Sequence, residues 1–193
     1  VLFMPSIAEM YPADEPQWHL DLGRLDQLWE GEKRPGHFQG VTQIVYKLFS
    51  LVKPDIAYFG QKDFQQVMVI QKMIDSKQLP IQIINHPIVR DHNGLALSSR
   101  NARLSEEAKN KALILYKTLA YVKANFAAMP LTELHAAALA ILAQEEAVEL
   151  EYFAICETTT LEIAQQVENN KQYIALIVVW IAGVRLIDNM ILN

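Results

Sequence analysis

The chain has 193 residues, 51% hydrophobic and 20% charged, with a formal net charge of −5 and a single cysteine. Such a composition supports a buried core in one large domain or two small ones, and Cys156 alone excludes an internal disulfide framework and a cysteine-rich zinc site. The negative balance argues against sequence-independent binding along nucleic acid, though a local basic cluster could still hold a small polyphosphate.

The chain opens on Val1-Leu2-Phe3-Met4-Pro5, which has neither an initiator methionine nor the basic region of a signal peptide, and reads as a cut edge. From Phe38 the residues Val41, Ile44, Val45, Leu48 and Val52 recur at helical spacing until Pro54 stops them. A strand is expected at Ile56–Phe59, ended by Gly60, then a helix through Val67, Ile70, Met73 and Ile74, then an apolar run from Ile81 to Ile84. Helix, strand, helix, strand with short joints implies a parallel sheet covered by helices, the first part of an α/β chain. Ligands of such sheets sit beyond the carboxyl ends of the strands, which draws attention to the loop that begins at Gly60.

Polar, turn-prone residues interrupt the pattern between Arg90 and Arg103. Ser105-Glu106-Glu107 has the form of a helix start, a hydroxyl cap followed by acids. Ala108, Ala112, Leu115, Leu119, Val122 and Phe126 then make one apolar stripe along a long helix, and a shorter helix follows Pro130. Strands are expected at Glu151–Ile155, Tyr173–Ile181 and Arg185–Asp188, giving a small α+β domain with an antiparallel sheet. The uncharged run from Tyr173 to Val184 is too short for the roughly 20 residues of a membrane helix, so no membrane partner is expected. The division is placed at residues 1–87 and 88–193. Cys156 sits in an apolar stretch with no histidine near it in sequence, which suits a small core residue better than a nucleophile, and a reduced, cytoplasmic setting.

Three polar clusters depart from this grammar. Arg34 and His37 stand with Lys33, Gly36 and Gly40 at the mouth of a helix, where free amides could meet an anion. Gly60, Gln61, Lys62 and Asp63 follow the first strand, with Gln66 one turn beyond Lys62. Here lysine suits a phosphate and aspartate a hydroxyl such as a ribose, while the full phosphate-loop signature is not present. Leu97, Ser98, Ser99 and Arg100 bring two hydroxyls and a forked cation to one short loop, a set that fits triphosphate oxygens. Taken singly, each cluster also reads as a solvated cap or turn. The histidines His19, His37, His86, His92 and His135 have no metal-ligand spacing, and no protein-held metal is expected.

In order, Arg34-Pro35-Gly36-His37-Phe38-Gln39-Gly40-Val41, the stretch from Pro54 to Gln66 and Gly94-Leu95-Ala96-Leu97-Ser98-Ser99-Arg100-Asn101 closely resemble the pantothenate synthetase family. The likeness runs from Met10-Tyr11-Pro12 to Arg185-Leu186-Ile187-Asp188-Asn189. It implies a partial Rossmann-like fold of the nucleotidyltransferase type, lacking its amino-terminal part, followed by the small α+β domain. It further implies the ATP-dependent condensation of pantoate with β-alanine to pantothenate, AMP and pyrophosphate through a pantoyl adenylate. Magnesium would accompany ATP, and the parent enzyme would be a homodimer.

The resemblance also implies roles. Gly60, Gln61, Lys62 and Asp63 would contact ATP, Lys62 on phosphate and Asp63 on the ribose side. Gln66 would hold pantoate, and Val89 would line the adenine pocket. Leu97, Ser98, Ser99 and Arg100 would form a mobile loop over the phosphates, with Arg34 and His37 near the phosphates or β-alanine. Lys62, Ser98, Ser99 and Arg100 form the expected catalytic set. Two departures stand out. Gln61 occupies a place where the family pattern has glutamate, and the family's paired-histidine signature, first strand and amino-terminal glutamine have no counterpart. The 193 residues alone are therefore expected to be inactive or nearly so. Another nucleotidyltransferase of the same superfamily and a non-catalytic folding or dimerisation module are the alternative readings.

Overall fold

The computed structural model describes residues 3–193; Val1 and Leu2, which begin the stretch read as a cut edge, lie outside the described residues. The chain forms two compact units. One comprises the chain up to Phe59 with Gln65–Asn85, and the other comprises Gly60–Phe64 with His86–Asn193.

The first unit holds the short helices α1 (Ile7–Met10) and α2 (Glu30–Lys33), then α3 (His37–Val52) and, all but an end residue of each, strand β1 (Ile56–Gly60), α4 (Phe64–Lys77) and β2 (Gln82–His86). Strands β1 and β2 form a parallel pair, as the alternation of helices and apolar runs predicts. Helix α3 ends where Lys53 turns left-handed at φ 51 and donates its amide to Phe49 at 2.8 Å, just before Pro54 prevents continuation. Phe38 and Phe49 from α3 meet Val69, Ile70, Met73 and Ile74 from α4 in one core. The buried Gln65 is satisfied: its Nε2 donates to the carbonyls of Leu25 and Leu28, and its Oε1 accepts from the Glu30 amide.

The second unit stacks α5 (Glu106–Asn125) and α6 (Leu131–Leu142) on one antiparallel sheet of β3 (Glu149–Glu157), β4 (Tyr173–Ile181) and β5 (Val184–Ile191). Ser105 caps α5, its Oγ accepting from the Ala108 amide at 3.1 Å. The apolar stripe of α5 lies in the core with Leu134 and Ala138 of α6 and Ile155, Tyr173, Ile177 and Ile181 of the sheet. Ala182 and Gly183, at φ 49 and 71, close the β4–β5 hairpin as a two-residue turn of the handedness that matches strand twist. Strand β5 runs through Ile191, beyond the expected Asp188, because the polar Asp188 and Asn189 have partners of their own within the sheet's surroundings. The register between β3 and β4 shifts between Leu150 and Tyr152. The residue at that irregularity, Glu151, accepts from Trp180 Nε1 and from Arg185 Nε and Nη2.

Candidate functional site

Beyond β1 the chain makes a single 3-10 turn, Gln61–Asp63, before α4 begins. A Cβ at Gly60 would meet no protein atom within 4 Å, so that side of the backbone is open to close approach. The turn is tied to the second unit's sheet by Asn189. The Asn189 Nδ2 donates to the carbonyls of Gln61 and Lys62, both at 3.0 Å, and its Oδ1 accepts from Gln61 Nε2 at 3.1 Å.

Next to Asn189, Asp188 is 5% exposed and receives the fork of Arg90. Burial pushes the Asp188 carboxyl up, while Arg90, the Asn189 amide and the charge of Lys62 pull it down. With two short charge-assisted bonds to a guanidinium, the ionised form is the one the geometry holds. Arg90 is itself placed by a tight hairpin in which Arg90 pairs with Ala96 and Asp91 Oδ1 accepts from the amides of Asn93 and Leu95.

That hairpin leads into the loop Leu97–Arg100. Ser98 caps the 3-10 turn Ser99–Arg103, its Oγ accepting from the Arg100 amide at 3.2 Å, and Asn101 Nδ2 donates to the Ala96 carbonyl at 3.0 Å. The result is a narrow cleft lined by Lys62, Ala96, Ser98, Arg100 and Asn101 on one hand and by Arg185–Asp188 of β5 on the other. Its free interior of about 10 Å³ has room for a single water. A polyphosphate would therefore lie along its mouth or require the Ser98–Arg100 loop to move. Chemically the cleft offers an ammonium, a guanidinium and a hydroxyl, a set suited to phosphoryl oxygens.

Of the residues singled out in the sequence, Lys62, Ser98 and Arg100 share this cleft. Gly60, Gln61 and Asp63 belong to the turn that carries Lys62. Ser99 is exposed at the start of the 3-10 turn Ser99–Arg103. Val89 and Leu97 are both exposed, at 56% and 52%, and are joined by the Leu97 amide donating to the Val89 carbonyl at 2.9 Å. Arg34, His37 and Gln66 lie in the first unit. Arg34 Nη1 stands 4.0 Å from Glu30 Oε2, the His37 ring leans on Phe38 at 5.2 Å, and Gln66 is half-buried on α4.

Sequence reasoning did not assign Arg90, Asp188 or Asn189 to the site. The one signal at hand was two adjacent polar residues, Asp188-Asn189, inside an otherwise apolar strand pattern. Among the described residues no group of three or more His, Cys, Asp or Glu side chains could hold a metal ion, and no helix is long and apolar enough to cross a membrane.

Comparison with known proteins completes the assignment, since residues 1–191 match the family described as pantoate-beta-alanine ligase. The chain belongs to the pantoate-beta-alanine ligase family. It is 42% identical over 194 residues to the pantothenate synthetase of Cytophaga hutchinsonii, a match covering all of this chain and 68% of that protein. It is likewise 42% identical over 188 residues to the pantothenate synthetase of Bacteroides fragilis, covering 97% and 66%. Among solved structures, a pantothenate synthetase of Thermus thermophilus superposes with a TM-score of 0.89 at 37% identity, covering 96% of this chain and 67% of that one. The ligase of Francisella tularensis, solved in complex with beta-gamma ATP and beta-alanine, gives a TM-score of 0.71 at 29% identity over 95% of this chain and 61% of that one. This member of the family thus spans about two thirds of the length of the relatives it matches.

Proposed function

We propose that the Lys62–Arg100 cleft is the phosphate grip of an ATP-dependent ligase that joins pantoate to β-alanine. The observation that carries this reading is the convergence of Lys62, from the turn after β1, and Arg100 with Ser98, from the loop after the Arg90 hairpin, on one cleft. Family membership and the nucleotide complex of the Francisella relative support it.

In the proposed reaction a pantoate carboxylate oxygen attacks the α-phosphorus of ATP, the α–β phosphoanhydride bond breaks and pyrophosphate leaves. The β-alanine amine then attacks the acyl carbon of the adenylate, the acyl–phosphate bond breaks, AMP leaves and the nitrogen gives up a proton. The first step joins two anions, so neutralising charge and aligning the reactants are the principal tasks of the protein. Lys62 and Arg100 supply charge, and movement of the Leu97–Arg100 loop would shield the adenylate from water. No protein nucleophile is required, because the carboxylate is already ionised. Magnesium enters with ATP as part of the substrate.

Within the same proposal Gly60, Gln61 and Asp63 face the nucleotide, Ser99 joins the phosphate loop, Val89 and Leu97 offer apolar surface to adenine, and Gln66, Arg34 and His37 serve pantoate or β-alanine. The complete reaction and a homodimeric assembly are proposed for the enzyme as a whole, and the phosphate grip for these 193 residues. Calorimetric titration of the 193-residue chain with MgATP tests the grip. Binding is expected, and Lys62→Ala and Arg100→Ala should each weaken it by about tenfold or more. Absence of heat up to millimolar MgATP, or identical affinity in both variants, would overturn the reading. Hydroxamate formation from pantoate and hydroxylamine, assayed in the complete enzyme, separates a ligase from a nucleotidyltransferase that loads nucleotide only.

A further inference from the structure

Asn189 sits in β5, 2% exposed, where a strand of this kind ordinarily places an apolar side chain. A buried amide is costly unless its hydrogen bonds are made. Here the side-chain bonds go to one short segment 127 and 128 residues earlier: two to the carbonyls of Gln61 and Lys62, one from Gln61 Nε2. The main chain of Asn189 is held in turn, its amide donating to Asp188 Oδ1 at 2.8 Å and its carbonyl accepting from Arg90 Nη2 at 3.2 Å.

The segment so held is a 3-10 turn of three residues, too short to fix itself. A lysine head can be set against a ligand only if its own backbone stays in place, because four flexible methylenes add their own freedom. We propose that Asn189 is the positioning residue of the site, clamping the Gln61–Lys62 backbone to β5 so that the Lys62 ammonium stands on the same cleft as Arg100. The inference rests on the nucleotide reading of that cleft. It gives Asn189 no contact with substrate; its effect passes through Lys62. Arg90 and Asp188 brace the clamp from behind, so the hairpin at Arg90 and the turn at Lys62 share one support.

The test compares Asn189→Ala, which removes the clamp, and Asn189→Asp, which keeps the size but turns an oxygen toward both carbonyls. Cys156→Ala serves as a control, since it creates a void in the same sheet among residues that do not line the cleft. Backbone amide exchange across Gly60–Phe64 and MgATP affinity are measured in all of them. Both Asn189 variants are expected to exchange about tenfold faster or more in that segment and to bind MgATP about tenfold more weakly or worse, while the control changes neither at a comparable fall in Tm.

Exchange in the Asn189 variants equal to that of the control overturns the proposal, as does unchanged MgATP affinity in a segment that has loosened. Should neither variant fold, the unsubstituted chain decides. Asn189 side-chain amide protons that are protected and shift on MgATP addition support the clamp, and freely exchanging ones overturn it. An unsubstituted chain that gives no MgATP signal sinks the nucleotide reading instead, and the exchange arm alone then decides the clamp.

Discussion

Arg90 grips Asp188 with both ends of its guanidinium, Nη1 to Oδ2 at 2.6 Å and Nη2 to Oδ1 at 2.9 Å, across 98 residues of chain. The side chains are 17% and 3% exposed, so this is an interior pair rather than a surface ornament. Removing one partner of such a pair leaves a charge buried without compensation, and Arg90→Ala should lose about 3–5 kcal/mol in urea unfolding. Arg90→Lys should recover only part, since an ammonium cannot reproduce the fork. The pH dependence has a definite sign. Burial already raises the Asp188 carboxyl, and without Arg90 that push is less opposed. A folded pKa above the unfolded one means stability that is present at low pH and lost as pH rises through the folded value. The deficit of Arg90→Ala relative to the unsubstituted chain should therefore shrink as pH falls and be greatest at neutral pH.

Gly94 fixes the hairpin that presents Arg90. It stands at φ +100, and a Cβ there would fall 2.2 Å from the Tyr116 ring. The same ring carries the Arg90 guanidinium at 4.9 Å, and the Gly94 carbonyl accepts from Arg90 Nη1 at 3.0 Å. Gly94→Ala meets strain and collision together and should cost about 2 kcal/mol or more, read as a fall in the urea midpoint.

Helical periodicity placed α3, α4 and α5, Pro130 marked the start of α6, and apolar runs placed all five strands, because those signals come from neighbours along the chain. The parallel pair followed from helices and strands alternating with short joints, and the antiparallel sheet from the run of strands after two helices. What stayed hidden was the support of the site. Asn189 and Gln61 are 128 residues apart, and nothing local in either stretch says that one will hold the other. The last strand was expected over Arg185–Asp188, short of Asn189. In the fold Asp188 and Asn189 continue the ladder and turn their side chains to Arg90 and to the Lys62 turn. Lys62 and Arg100 were legible as cations in polar loops, whereas their meeting in one cleft depends on tertiary packing.

Cys156 is fully buried in β3, and burial alone pushes its thiol up to about 12. At pH 8 the folded protein should react with an aromatic disulfide reagent no faster than it opens, and the rate should rise with urea toward that of the unfolded chain. The raised folded value again sets a sign. The thiol's contribution to stability is whole below the unfolded pKa, about 8.5, and is lost as pH climbs through the folded value. Urea midpoints should fall over that alkaline window, and Cys156→Ala should flatten the fall.

The amide of Gln61 explains why glutamine suits a position where the resemblance leads one to expect glutamate. Asn189 Nδ2 lies 3.0 Å from two carbonyls, which fixes that amide's orientation and leaves Oδ1 toward residue 61. A partner for Oδ1 has to donate, and Gln61 Nε2 does so at 3.1 Å. In Gln61→Glu the carboxylate has no proton to give at neutral pH and would set its lone pairs against Oδ1. Gln61 is only half-buried, so the new side chain can turn to solvent, and the loss should stay at about 1 kcal/mol, one neutral hydrogen bond. Below the carboxyl's pKa the protonated acid can donate again, so the difference between Gln61→Glu and the unsubstituted chain should narrow between about pH 7 and pH 4. Urea midpoints measured across that range would expose a mistaken amide assignment, because a Gln61 that accepted from Asn189 would make the substitution harmless at every pH.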